Sequence, residues 1–273
     1  MQKKTVLITG ASSGMGYAAT MLFAQKGWEV YAGARRVDKI PTGSGIHPVK
    51  LDVTDAVSRA AFVHAAQVEG SLDVLINNAG YGEYGPLEEV SLAHAHKQLE
   101  TNLFGATELT KLVLPTMRRQ RSGRIVNISS IGGDMYSSLG GWYHIAKHGL
   151  NVWSDVLDTE IRQFGLRSVI VEPGGTASSW SEIAMGSIKN NLSPNTPYQT
   201  LVDGTLKMIT NVGSHSSATS EDLAKVFYRA ATDQRAKRRY YYNFSDRMMA
   251  RMARVHPEIF HQVVMRMSAR AIR

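Results

Sequence analysis

The chain has 273 residues, enough for one large domain with a substantial core, and no apolar run approaches the ~18 residues of a membrane-spanning helix. With no cysteine, a disulfide framework and thiolate chemistry are excluded. The net charge of +8 is local: residues 235–273 hold ten of the Lys and Arg and only two acids, Asp246 and Glu258, so the rest of the chain is balanced and a nucleic-acid-binding face is not expected.

Short β-rich runs alternate with helical periodicity from the start. Strands are expected at 5–9, 28–34, 46–51, 72–77, 124–129, 167–171 and 238–243, and helices at about 15–25, 54–68, 97–118, 143–163 and 221–231. Most strands are continuous apolar runs, such as Val74-Leu75-Ile76 and Val169-Ile170-Val171, as in a parallel sheet covered on both faces. The alternation predicts a single α/β domain over 1–273, an open, doubly wound Rossmann-type sheet. Residues 174–220 interrupt it with a polar excursion, placed either to cover a ligand at the carboxyl ends of the strands or to be disordered. Two amphipathic pieces close the chain. In 247–255, Met248, Met249, Met252 and Val255 face one way and Arg247, Arg251 and Arg254 another; in 259–273, Phe260, Val263, Val264 and Met267 form a stripe against Arg266, Arg270 and Arg273. The first reading is packing against the substrate loop or a second subunit, then a lid, then peripheral membrane attachment; membrane association is not expected.

Several punctuations between these elements carry chemistry. Thr9-Gly10-x-x-x-Gly14-x-Gly16 joins the first strand to the first helix, a turn that lets backbone approach a pyrophosphate at a helix N-terminus; Ser12, Ser13 and Met15 lie within it. The second strand ends Ala34-Arg35-Arg36. An acid there would bind a ribose hydroxyl, whereas arginine suits a 2′-phosphate, so NADP(H) is the predicted cofactor. Tyr143 and Lys147 are i and i+4 on one helical face. An ammonium about 5 Å away would lower the tyrosine pKa by about two. Ser130, thirteen residues upstream, would stabilise a developing alkoxide. His144 with His148, and His94 with His96, are expected to be solvated or hydrogen-bonded and not to bind metal. Tyr136, Trp142 and Trp180 are candidate pocket walls.

Taken in order, these features resemble the short-chain dehydrogenase/reductase family. The glycine turn matches its TGxxxGxG, Asn77-Asn78-Ala79-Gly80 its NNAG, and Asp52-Val53 its adenine-contacting pair. Asn102, Ser130, Tyr143 and Lys147 match its catalytic set, and Pro173-Gly174 its PG motif. Within the family the chain looks most like bacterial oxidoreductases similar to 17β-hydroxysteroid dehydrogenases. The resemblance implies strand order 3-2-1-4-5-6-7 and interconversion of a carbonyl and an alcohol, with Lys147 holding ribose and Asn102 ordering a relay water. It further implies cofactor contacts from Asn78, Ala79, Gly80, Pro173 and Gly174, with either Thr176 or Ser178 reaching the nicotinamide. The expected partners are a hydrophobic small-molecule carbonyl or alcohol and further copies of the chain, as homodimer or homotetramer. The compartment is expected to be the cytoplasm, since a strand begins at residue 5. A nucleotide-binding regulator without turnover is the alternative.

Overall fold

In β1, Thr5–Thr9, Val6 and Ile8 turn to one face of the sheet and Leu7 to the other, and all three are fully buried. The computed structural model describes residues 3–67, 71–176, 180–212 and 218–272. Six further strands complete one parallel sheet with β1: β2 (Glu29–Ala34), β3 (Ile46–Lys50), β4 (Val74–Asn77), β5 (Arg124–Ile128), β6 (Arg167–Val171) and β7 (Arg239–Tyr240). Their order is β3-β2-β1-β4-β5-β6-β7, as expected.

Helices cover both faces of this sheet. On the side of Val6 and Ile8 lie α1 (Gly14–Gln25) and, late in the chain, the helix Ser220–Thr232, joined by buried Phe23 and Phe227. On the side of Leu7 lie α2 (Ala56–Gln67) and the long helices that follow β4 and β5, around Phe62, Leu109, Met117 and Leu157. The helix expected at 97–118 is two helices, α3 (Leu92–Leu99) and α4 (Gly105–Gln120), split by one π-helical turn, Glu100–Phe104. Two contacts explain the break. A Cβ on Gly105 would lie 2.9 Å from Val53, and Asn102 is fastened to the backbone of Tyr81. Such π turns recur at functional sites.

After β5 comes α5 (Gly141–Ile161), whose buried face is polar to an unusual degree. Lys147 Nζ donates to the Ile128 carbonyl at 2.8 Å, and Asn151 Nδ2 to Glu172 at 3.1 Å. Further along, Ser154 accepts from Asn127 at 3.0 Å and Asp158 from the Ser168 N–H at 2.9 Å. One seam of directed bonds thus joins the helix to the ends and edges of β5 and β6.

The excursion after β6 carries two helices, α6 (Trp180–Asn190) and α7 (Gln199–Val212), in place of disorder over those spans. Buried Ile188 and Val202 pack with Leu139 into a small third core. The helix Ser220–Thr232 is α8, and the tail forms α9 (Phe244–Val255) and α10 (Pro257–Ala271). β7 is shorter than expected because Asn243 already caps α9, accepting the Asp246 N–H at 2.7 Å. On α9 the buried face is not the apolar stripe of the sequence. Ala250 and Ala253 are buried, while Met248, Met249 and Val255 are exposed, because small side chains permit the closest approach.

Candidate active site

The carboxyl end of β1 opens into the glycine turn. Gly10 and Gly14 have φ of 71° and 55°, which favour glycine. A Cβ on Gly16 would collide with the Gly10 carbonyl and Asn78, and one on Gly10 would lie 2.9 Å from Asn78 Nδ2. Gly14 instead faces open space, its nearest neighbour being Ser220 Oγ at 3.9 Å from such an atom. Ser13 precedes α1 without a side-chain cap, so the hydroxyl and the first helical N–H groups remain available to an anion. Met15 packs against the core and Ser12 is half-buried.

Around that turn, Ala34 is buried while Arg35 and Arg36 are exposed, and no ion pair involves either arginine among the described residues. Asp52 follows β3, its Oδ1 accepting from Thr54 N at 2.9 Å; the bonds from Thr54 and the charges of Arg35 and Arg59 outweigh its burial and hold its pKa below the usual value. Asn78 braces the turn: its Nδ2 donates to the Thr9 carbonyl at 2.8 Å, while the Asn78 and Ala79 N–H groups bond Thr9 Oγ1. A Cβ on Gly80 would lie 3.2 Å from Asn102 Oδ1, a tight contact. A dinucleotide therefore fits here: the cradle is open at Gly14, anion-ready at α1, and basic beyond Ala34.

Ser130, Tyr143 and Lys147 meet at the same end of the sheet. Ser130 caps a 3-10 turn, Ile131–Gly133, its Oγ accepting from the Gly132 N–H at 3.0 Å. Tyr143 is 6% exposed and its hydroxyl bonds Ser130. Lys147, also 6% exposed, has its Nζ 5.9 Å from the centre of the Tyr143 ring. The lowered tyrosine pKa expected from that ammonium is corrected. Burial pushes Tyr143 up to about 12 against the smaller lowering by Ser130, and burial pulls Lys147 down to about 8. Asn102, 2% exposed, spends both amide atoms on Tyr81, donating to its carbonyl at 2.8 Å and accepting its N–H at 3.1 Å.

Neighbours complete the floor and one wall. His144 is buried, its Nδ1 2.9 Å from the Gly132 carbonyl and its Nε2 accepting the Ser137 N–H at 3.1 Å. His148 bonds the His144 carbonyl, so the two imidazoles do not form a metal pair, and no cluster fit for a metal occurs among the described residues. His94 bonds Asn191 at 2.8 Å. Tyr84 lies tilted over Tyr143 with ring centres 5.6 Å apart. Trp142 is half-buried, and Tyr136 packs edge-on against Phe260 of α10 at 5.1 Å. Pro173 accepts the Ile131 N–H at 3.0 Å, and Gly174 is crowded by the Asp246 carboxylate. Thr176 bonds the Gly174 carbonyl at 3.2 Å, while Ser178 and the Trp180 side chain lie outside the described residues.

The profile of the family described as short chain dehydrogenase matches residues 4–185. The chain belongs to that family. Among relatives of this short-chain dehydrogenase, the uncharacterized oxidoreductase YusZ of Bacillus subtilis is 32% identical over 247 residues, 87% of this chain and 88% of that one. A 3-ketodihydrosphingosine reductase of Bacteroides thetaiotaomicron is 38% identical over 175 residues, 64% of each chain. The solved structure of a short-chain dehydrogenase from Streptomyces avermitilis superposes with a TM-score of 0.81 at 26% identity, covering 97% of this chain and 98% of that chain. The protein is thus an oxidoreductase of short-chain dehydrogenase type.

Sequence reasoning about this short-chain dehydrogenase missed Tyr84 as a neighbour of Tyr143, although Tyr84 follows the Asn77–Gly80 segment at the end of β4. It also missed His144 as a brace and Glu172 as a fully buried carboxylate ion-paired with Arg239 at 2.7 Å. For Glu172 the signal was present: an acid directly after a fully buried strand needs a partner.

Proposed function

We propose that this protein is an NADP(H)-dependent oxidoreductase that interconverts a ketone or aldehyde and an alcohol, with Tyr143 giving or taking the proton. The observation that carries this reading is the buried Tyr143 hydroxyl bonded to Ser130, beside Lys147 and within the same end of the sheet as the glycine turn. The bound dinucleotide supplies or accepts the hydride. Tyr143 is held neutral by burial, a state suited to protonating a carbonyl oxygen, which favours reduction. Ser130 orients that oxygen and steadies its developing charge. Lys147 holds the ribose and moderates Tyr143, and Asn102 fixes the Tyr81 segment and orders a relay water. Gly10, Ser12, Ser13, Gly14, Met15 and Gly16 receive the pyrophosphate, and Arg35 and Arg36 the 2′-phosphate. Asp52, Val53, Asn78, Ala79 and Gly80 border the adenine side, while Pro173, Gly174 and Thr176 or Ser178 border the nicotinamide.

The substrate in this reading is hydrophobic, facing Tyr84 and the small apolar core around Leu139. The relative named as a reductase of 3-ketodihydrosphingosine supports a ketone. Exposed Phe104, Leu112, Ile145, Val152 and Val156 on and beside α4 and α5 support homodimers or homotetramers through these helices. No helix among the described residues is long and apolar enough to cross a membrane, and the proposed compartment is the cytoplasm. NADPH oxidation against a panel of ketones, aldehydes, steroids and quinones tests the reaction. A kcat/KM ratio for NADPH over NADH near or below about one would remove the cofactor assignment.

A further inference from the structure

Phe244, Met248, Arg251 and Val255 fall at i, i+4, i+7 and i+11 of α9, one stripe of an amphipathic helix. That stripe faces away from the protein. Phe244 is 73% exposed, Met248 45% and Val255 56%, while Ala250 and Ala253 on the opposite side are buried. On α10, Ile259 and Met265 are likewise exposed, at 55% and 57%. Arg247, Arg251, Arg266 and Arg270 are exposed on these helices, and among the described residues no ion pair involves them. Residues 244–271 hold five arginines and two acids, so a local positive excess lies beside large apolar side chains left in water.

We propose that the outer face of α9 and α10 docks on an anionic lipid bilayer. Apolar side chains on such a face enter the acyl boundary, and guanidinium groups meet lipid phosphates. A second copy of the chain fits the face poorly, because an isologous contact would set one arginine-bearing face against another. Only two acids lie in this region, and one of them, Asp246, is turned inward against Gly174. A nucleic acid would satisfy the arginines and leave Phe244 and Met248 without a partner. The inner sides of the same helices stand on the active-site floor. α9 packs on the Ile131–Gly133 turn, Arg254 pairs with Asp134 at 3.3 Å, and Ser268 of α10 bonds Ser138 at 2.6 Å. The docking helices thus adjoin, by their inner sides, the segment between Ser130 and Tyr143. For the carbonyl chemistry proposed above, on which this one consequence rests, an amphiphilic substrate can reach Tyr143 while its tail stays in lipid.

Sedimentation of the purified full chain with vesicles tests the docking without cofactor or turnover, so its failure is distinct from failure of the assigned reaction. The protein should sediment with phosphatidylglycerol vesicles at low salt, remain in solution with phosphatidylcholine, and be largely released at ~1 M salt. The pair Arg247→Glu and Arg251→Glu should weaken binding by about 30-fold or more. The pair Phe244→Ser and Met248→Ser should abolish it. Both pairs should keep the unfolding midpoint and NADPH-oxidation rate of the parent, since all four side chains are exposed. No binding to phosphatidylglycerol at low salt would overturn the proposal, as would unchanged binding in both pairs. Lipid-free dimers lost on Phe244→Ser with Met248→Ser would likewise reassign the face to a second copy.

Discussion

Replacing His144 removes a buried imidazole with both nitrogens committed. Ser137 N is a donor, so Nε2 must accept and Nδ1 must carry the proton given to the Gly132 carbonyl. A second proton on the ring would break the Ser137 bond. Burial accordingly pulls the His144 pKa from 6.5 down to about 4, against the raising effect of the Gly132 carbonyl. Because the folded value is depressed, the stability that neutral His144 contributes is fully present above pH 6.5. It is lost as pH falls towards 4, at ~1.4 kcal/mol per pH unit and ~3 kcal/mol in total. At neutral pH, His144→Ala leaves the buried Gly132 carbonyl and the Ser137 N–H without their partner and opens a cavity, a loss of ~3–5 kcal/mol. That gap between parent and variant should narrow by ~3 kcal/mol as pH falls from 6.5 to about 4, since the variant has no imidazole to protonate. Urea unfolding of both proteins across this range measures it. A constant gap would refute the assigned tautomer and its burial. Turnover should fall as well, since the Gly132 segment that holds Ser130 loses its brace.

Tyr143→Phe should reduce turnover by about 10²–10⁴-fold, with stability changed by no more than ~1 kcal/mol because Ser130 keeps its bond from Gly132. Steady-state rates and unfolding midpoints check both parts, and activity within about tenfold of the parent contradicts the proton-donor assignment. Arg35→Ser with Arg36→Ser should lower the NADPH over NADH ratio of kcat/KM by about 10–100-fold while leaving the NADH value in place. Equal losses with both cofactors would instead indicate a general structural effect. Phe227→Ala, at a fully buried position between α8 and the sheet, should cost ~3–5 kcal/mol by denaturant unfolding, and a loss below ~1 kcal/mol would contradict its placement.

Strand positions were legible because a parallel sheet with two covered faces demands continuous apolar runs, and Val74-Leu75-Ile76 and Val169-Ile170-Val171 are buried throughout. The glycine turn was legible because φ near 71° at Gly10 leaves few other residues possible. The i, i+4 spacing placed Tyr143 and Lys147 on one face, yet the direction of the Tyr143 pKa depended on burial, which spacing does not carry. The split between α3 and α4 was hidden for a similar reason: it comes from Gly105 meeting Val53, about fifty residues away in the chain. In α9 the hydrophobic pattern marks the methionines, whereas the buried side chains are the small ones, Ala250 and Ala253. Pattern reports polarity, and here clearance decided.

The polar seam beneath α5 has a consequence for how accurately the Tyr143 hydroxyl is aimed. An apolar interface tolerates small slides, because dispersion contacts are many and non-directional. Sliding α5 by one residue would shift it 1.5 Å and rotate its side chains by about 100°. Lys147, Asn151, Ser154 and Asp158 would then lose their partners together. The seam behaves like the teeth of a rack, which permit one setting and make neighbouring settings costly. Ser154 and Asp158 lie eleven and fifteen residues along the helix from Tyr143, yet they set its register. Alignment of the proposed proton donor is therefore a property of the full length of α5.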